Sequence, residues 1–125
     1  MSQTVDSAED GTSPPFDSAF CPVFHSAVEL IGRRWTGAIV RALLCDITRF
    51  SDLTRAIPDL SDRMLSERLK ELEGAGIVAR TVLPTTPVQI EYRLTPKGAA
   101  LAPVLAAIGA WAGEWLVAVE PARAR

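Results

Sequence analysis

The side chains with reactive chemistry are few. Cys21, Cys45 and His25 are the only cysteines and the only histidine in the chain. Cys21 and His25 lie four residues apart, one turn of a helix, so a nucleophile and its base could meet there. Acid–base or acyl-transfer chemistry also needs a group to orient the base and a place for an oxyanion, and the sequence offers neither. Two thiols and one imidazole fall short of the four ligands of a structural zinc site. The run Gly74-Ala75-Gly76 lacks the lysine of a phosphate-binding loop and sits where a helix should end. No catalytic residue, metal or cofactor is therefore assigned. What remains for Cys21 is redox chemistry. Cys21-Pro22 marks a helix start, where unpaired backbone N–H groups and the helix dipole favour a thiolate. Packing under Phe20 and Phe24, and the charge of Asp17, would oppose it. Cys21 is either a sensor or a packed thiol. Cys45, after the apolar run AIVRALL, is expected in the core or at a helix end.

A second set of side chains suits nucleic acid. Residues 61–73 place Leu65, Leu69 and Leu72 on one side of a helix and Arg63, Glu67 and Lys70 on the other, flanked by Met64 and Ser66. Arg63 could pair with guanine, and Ser66 could reach a base or a phosphate. Lys70 could neutralise a phosphate. Glu67 could accept from cytosine, or hold Arg63 at i, i+4 spacing. Ser51 and Ser61, at the starts of two successive helices, join the contact candidates, as do Thr85, Thr86 and Gln89 beyond them.

These residues need elements to carry them. A first helix runs from Pro22 to Gly32 with a wide apolar face that includes Phe24 and Val28. A second follows Trp35 and ends near Cys45. Arg49-Phe50 is a short extended piece, Ser51 caps a third helix, and Pro58-Asp59 stops it. Ser61 caps the fourth, which ends at the glycines. IVARTVL and VQIEYRL, joined by Pro84-Thr85-Thr86-Pro87, alternate as a half-exposed hairpin. Thr95-Pro96 opens a last long helix. Two short helices joined by a tight turn and followed directly by a hairpin have the proportions of a helix-turn-helix with a wing. The fold class expected is mainly α with a small antiparallel β wing.

Composition sets the bounds. With 125 residues and 48% apolar side chains, the chain suits one core-forming domain. We expect an arm over residues 1–18, rich in Ser, Asp and Pro, the domain over 19–118, and a flexible tail over 119–125. No apolar run reaches membrane-spanning length, and the acidic N-terminus lacks the features of a signal peptide, so a cytoplasmic protein is expected. The net charge of −2 is unevenly spread. Residues 33–97 hold eleven Lys or Arg against eight Asp or Glu, whereas residues 1–32 hold five acidic side chains and no basic one. This distribution is compatible with DNA, although the acidic total also suits a winged helix that binds protein instead. The last helix carries Leu105, Ile108, Trp111 and Trp115, more apolar surface than a small domain can cover. With Phe24 and Val28 it is expected to pack against a second copy, although one tryptophan could fill the monomer core.

Three segments carry a closer likeness: GRRWTGAIVRALL, RFSDLTRAIPDLSDRMLSERLKELEGAGIVAR and PVQIEYRLTPKG. Trp35, Arg49, Phe50, Asp52, Leu53, then Leu65, Arg68, Leu69, Leu72, then Gly76, Ile77, Val78, Arg80, and finally Glu91, Tyr92, Leu94, Thr95 and Gly98 resemble the pattern of HxlR-type regulators over residues 20–116. The resemblance implies a winged helix, a homodimer built from the first and last helices, and an inverted-repeat operator on double-stranded DNA. It leaves the sign of regulation, repressor or activator, open. Some members of that family sense oxidants or electrophiles through a cysteine at the place of Cys21, which makes such a molecule the candidate effector. The wing departs from the pattern: Gln89 stands where a basic residue is usual, and the tip is uncharged. Wing contacts are then expected to be hydrogen bonds or shape-based minor-groove contacts, with little counterion release.

Overall fold

The computed structural model describes residues 16–116, and these belong to two compact units, Met1–Ile31 and Gly32–Arg125. Most of the expected arm and all of the expected tail lie outside the described residues. In the first unit, helix α1 spans Pro22–Ile31. The proline takes the first helical position, where its missing N–H costs nothing. The Phe24 N–H donates to Cys21 Sγ at 3.5 Å, and the His25 N–H to the Cys21 carbonyl at 2.9 Å, so Cys21 occupies the cap.

The second unit runs α2 (Thr36–Leu44), α3 (Phe50–Ala56), α4 (Asp62–Gly74), β1 (Val78–Leu83), β2 (Gln89–Leu94), the single turn α5 (Pro96–Ala99) and α6 (Ala102–Trp115). Its core is made by Ile39, Val40 and Leu43 of α2, Leu53 of α3, Leu65, Leu69 and Leu72 of α4, and Ile77 and Val78 leading into β1. Each such side chain taken from water contributes about 1.5–3 kcal/mol.

Helix ends follow from local chemistry. Asp46 has φ 69° and Gly76 φ 78°. After each, a paired set of bonds closes the preceding helix: Asp46 to Leu43 and Ile47 to Ala42, then Gly76 to Glu73 and Ile77 to Leu72. This left-handed stop suits glycine, and aspartate tolerates it. It turns the chain from α4 straight into the hairpin. There Val78 pairs with Leu94 and Leu83 with Gln89 in antiparallel register.

The structure changes three expectations. Arg49, not Ser51, holds the cap position of α3, and Ser51 lies inside the first turn. The reason is tertiary. Arg49 bridges Glu91 and the Tyr92 N–H donates to the Thr48 carbonyl at 2.8 Å, which keeps residue 49 extended and starts the helix at Phe50. Phe50 is accordingly helical, leaving Arg49 alone as the extended residue. The last helix is broken after Ala99, because Pro103 cannot donate to the Ala99 carbonyl and its ring crowds that oxygen. Cys45 is at a helix end as expected, but it is exposed.

Candidate nucleic-acid interface

Helix α4 begins with Ser61 in an extended conformation, its Oγ accepting the Met64 N–H at 3.0 Å. That bond satisfies one of the orphan donors of the first turn. Three leucines then lock one side: Leu65, Leu69 and Leu72 are at most 1% exposed. With the stripe buried, the opposite face must meet solvent. Arg63, Ser66, Glu67 and Lys70 are exposed and Met64 is half-buried. Arg63 Nε donates to Glu67 Oε2 at 3.3 Å, with the arginine side chain 89% exposed. An exposed pair of this kind adds little stability and breaks easily, freeing both groups for a ligand. Ser51 is exposed at the start of α3, and α3 is separated from α4 by Ile57–Ser61, where Asp59 takes φ 68°.

Sequence reasoning met Arg68 only within a motif, yet its position decides how α4 is held. It is 7% exposed and lies within the leucine stripe. Its Nε donates to the Arg34 carbonyl at 2.8 Å and its Nη1 to Glu71 Oε2 at 3.2 Å. Glu71 also accepts two bonds from Arg33, both 2.8 Å. Those bonds hold the Glu71 carboxyl below the ordinary glutamate range and raise the Arg33 guanidinium. The Arg34 peptide so gripped precedes Trp35, whose φ of 75° is a strained conformation for a bulky residue. Arg34 lies 5.3 Å over the Trp35 ring. Helix α4 is thus bolted to the turn that starts α2. A signal was present in the sequence: positions 65, 68, 69 and 72 share one helical face, so Arg68 had to enter the core.

Along the other edge of α4 runs a groove toward the hairpin, lined by Ser66, Leu69, Lys70, Glu73, Arg80 and Tyr92. At the wing, Thr85 Oγ1 donates to the Pro87 carbonyl at 2.7 Å, Thr86 is exposed, and Gln89 is half-buried opposite Leu83. The tip offers hydroxyls and carbonyls without charge, as the sequence indicated.

Other elements carry exposed apolar side chains. In α6, Val104, Ile108, Trp111 and Trp115 are all exposed, as is Leu116 just after it, so neither tryptophan fills the core of the chain. Leu105 is half-buried and lines a groove with Arg41, Leu44 and Cys45. In the first unit, Phe24 is 62% and Val28 49% exposed, and Cys21 is exposed, so packing does not seal its sulfur in the described chain.

A family model described as HxlR-like helix-turn-helix matches residues 30–120. The HTH-type transcriptional regulator YvaP of Bacillus subtilis is 54% identical over 99 residues, covering 79% of this chain and 92% of the relative. The reduced form of the transcriptional regulator YodB from B. subtilis superposes with a TM-score of 0.69 at 48% identity, covering 77% of this chain and 94% of that one. The quinone-bound form of YodB gives 0.65 at 45% identity, covering 77% and 100%.

Proposed function

The chain belongs to the HxlR-like helix-turn-helix family, and from that premise we propose that it is a sequence-specific DNA-binding transcriptional regulator acting as a homodimer on an inverted-repeat operator. One observation carries this reading: α4 is fixed in place by Leu65, Leu69, Leu72 and Arg68 while its opposite face stays polar and exposed, directly before a hairpin. A helix so mounted enters the major groove as a rigid body. Arg63, Ser66 and Glu67 then meet base edges, with Met64 beside them. Lys70, Ser51 and Ser61 meet the backbone. Thr85, Thr86 and Gln89 of the wing reach the adjacent minor groove.

The dimer rests on apolar surface. Ile108, Trp111 and Trp115 of α6, with Leu105, and Phe24 and Val28 of α1 are the faces a second copy would cover, since side chains of that size are rarely left in water together. A twofold axis would set two recognition helices a whole number of DNA turns apart and so demand an inverted repeat.

A small-molecule oxidant or electrophile is the effector this arrangement suits. YodB has been solved bound to quinone, and here an exposed Cys21 stands at a helix cap with a backbone N–H directed at its sulfur. A thiolate adds to the ring of a quinone as to any soft electrophile, joining sulfur to carbon while the ring takes up the electron pair and a proton. No helix of the described residues is long and apolar enough to cross a membrane.

The test is genome-wide footprinting of the purified protein with and without quinone. Protected sites sharing an inverted repeat, with occupancy altered by quinone, are the expected result. Protection of no duplex would overturn DNA binding and leave a winged helix that binds protein.

A further inference from the structure

We propose that the groove between α4 and the hairpin seats a DNA phosphate, gripped by Arg80 from the first strand of the wing together with Lys70 from the recognition helix. This rests on the DNA-binding reading and adds to Thr85, Thr86 and Gln89 a charged contact made by the first strand of the wing.

Side chains two apart on a strand share a face. Arg80 therefore lies on the same face as Val78, which is buried in the core, and opposite Tyr92 in the register. It projects toward α4 rather than away from it. In keeping with this, Arg80 and Tyr92 line one groove with Ser66, Leu69 and Lys70.

Arg33, Arg55, Arg63, Arg68 and Arg93 each have a carboxylate within ion-pair distance. Lys70 and Arg80 have none among the described residues, and both are exposed. Arg34, Arg41, Arg49 and Lys97 also lack an ion-pair partner among the described residues, but Lys70 and Arg80 are two such cations lining one groove. Two like charges from separate elements line one groove without an ion-pair partner, and Ser66 and Tyr92, whose hydroxyls are neutral donors, line it with them. That donor set suits an anionic oxygen, and the groove flanks the helix face already assigned to base edges, where a backbone phosphate must pass. An arginine fork adds bidentate geometry to the point charge of a lysine. Glu73 opposes the arrangement: its carboxylate lines the same groove one turn beyond Lys70. It would repel a bound phosphate and weaken the seat without closing it.

The experiment measures fluorescence anisotropy of the full-length protein with two labelled duplexes about three helical turns long. One carries a site selected from a random pool and the other a scrambled sequence, each titrated at several salt concentrations. Arg80→Gln should weaken binding to both duplexes by a similar factor. It should also flatten the slope of log affinity against log salt by about 0.9 for each phosphate it no longer neutralises. Arg80→Lys should restore the slope. Glu73→Gln should tighten binding to both duplexes, and Arg41→Gln, beside the last helix, should leave the slope unchanged. An unaltered slope in Arg80→Gln, with wild type binding normally, would overturn the seat and leave the regulator reading standing. A loss confined to the selected site, or matched by Arg41→Gln, would do the same. Were Arg80→Gln unable to fold, Glu73→Gln would decide, since no gain in affinity overturns the proposal. Failure of wild type to bind either duplex would overturn both readings together.

Discussion

Replacing Arg68 by methionine tests how the recognition helix is held. The substitution keeps an unbranched side chain in the leucine stripe and removes the guanidinium, so the change is mainly polar. Two bonds disappear, one to the Arg34 carbonyl at 2.8 Å and one to Glu71 at 3.2 Å. A hydrogen bond to a charged group is worth about 1.5–3 kcal/mol, and the part-buried Arg34 carbonyl left unsatisfied adds a share of the about 1–3 kcal/mol that a buried acceptor costs. Glu71 is not orphaned, because Arg33 still donates twice to it. We therefore expect Arg68→Met to destabilise by about 2–4 kcal/mol, a large part of the stability of a small domain. The assay is urea unfolding at fixed protein concentration, since a dimer's midpoint depends on it. Operator affinity should also fall under conditions where the variant is still folded, because α4 is no longer tied to the turn before α2. The pH dependence gives a second arm. Glu71 is held below its ordinary range by the Arg33 bonds. Its contribution is therefore present at neutral pH and is lost as pH falls below the ordinary glutamate range and through the lowered value. The stability gap between wild type and Glu71→Gln should close on acidification. An Arg68→Met midpoint equal to wild type, with unchanged operator affinity, would refute the idea that this guanidinium holds the helix.

Four further outcomes follow from the same geometry. Arg63→Ala should cost about 1–3 kcal/mol on the operator and little on scrambled DNA if it reads a base, whereas Lys70→Ala should weaken both and lower the salt slope by about one; footprints equal to wild type would mean the wrong helix was assigned. Trp111→Glu should shift the protein to monomer in sedimentation at micromolar concentration, and an unchanged dimer would move the interface elsewhere. Quinone or a mild oxidant should alter operator binding in wild type and Cys45→Ser but not in Cys21→Ser; because Cys45 is exposed as well, equal responses from wild type and Cys21→Ser would assign the effect to another group. Gly98→Ala should destabilise by about 3 kcal/mol in thermal unfolding, because an added Cβ would lie 2.2 Å from the Ile77 carbonyl oxygen; a variant as stable as wild type would show that the Thr95 turn can yield.

Helix α4 shows what one sequence can settle by itself. Its cap at Ser61, its leucine stripe, its polar face and its glycine stop are all relations among residues a few positions apart, so spacing and capping chemistry alone place them. The hairpin and its uncharged tip were legible for the same reason, as was the apolar excess of Ile108, Trp111 and Trp115. Other features depend on residues far apart in the chain. Arg49 took the cap position from Ser51 because β2, some forty residues on, holds it extended. Arg68 and Glu71 have meaning only against Arg33 and the Arg34 carbonyl, thirty-four or more positions away. Arg80 gained a role only when the fold set it beside Lys70, across a groove neither residue defines alone. Local patterns fix which face of an element is apolar and where it stops, because those depend on dihedral preferences and burial. Which charges end up paired or left without a counterion depends on where the chain returns, and only the tertiary structure decides that.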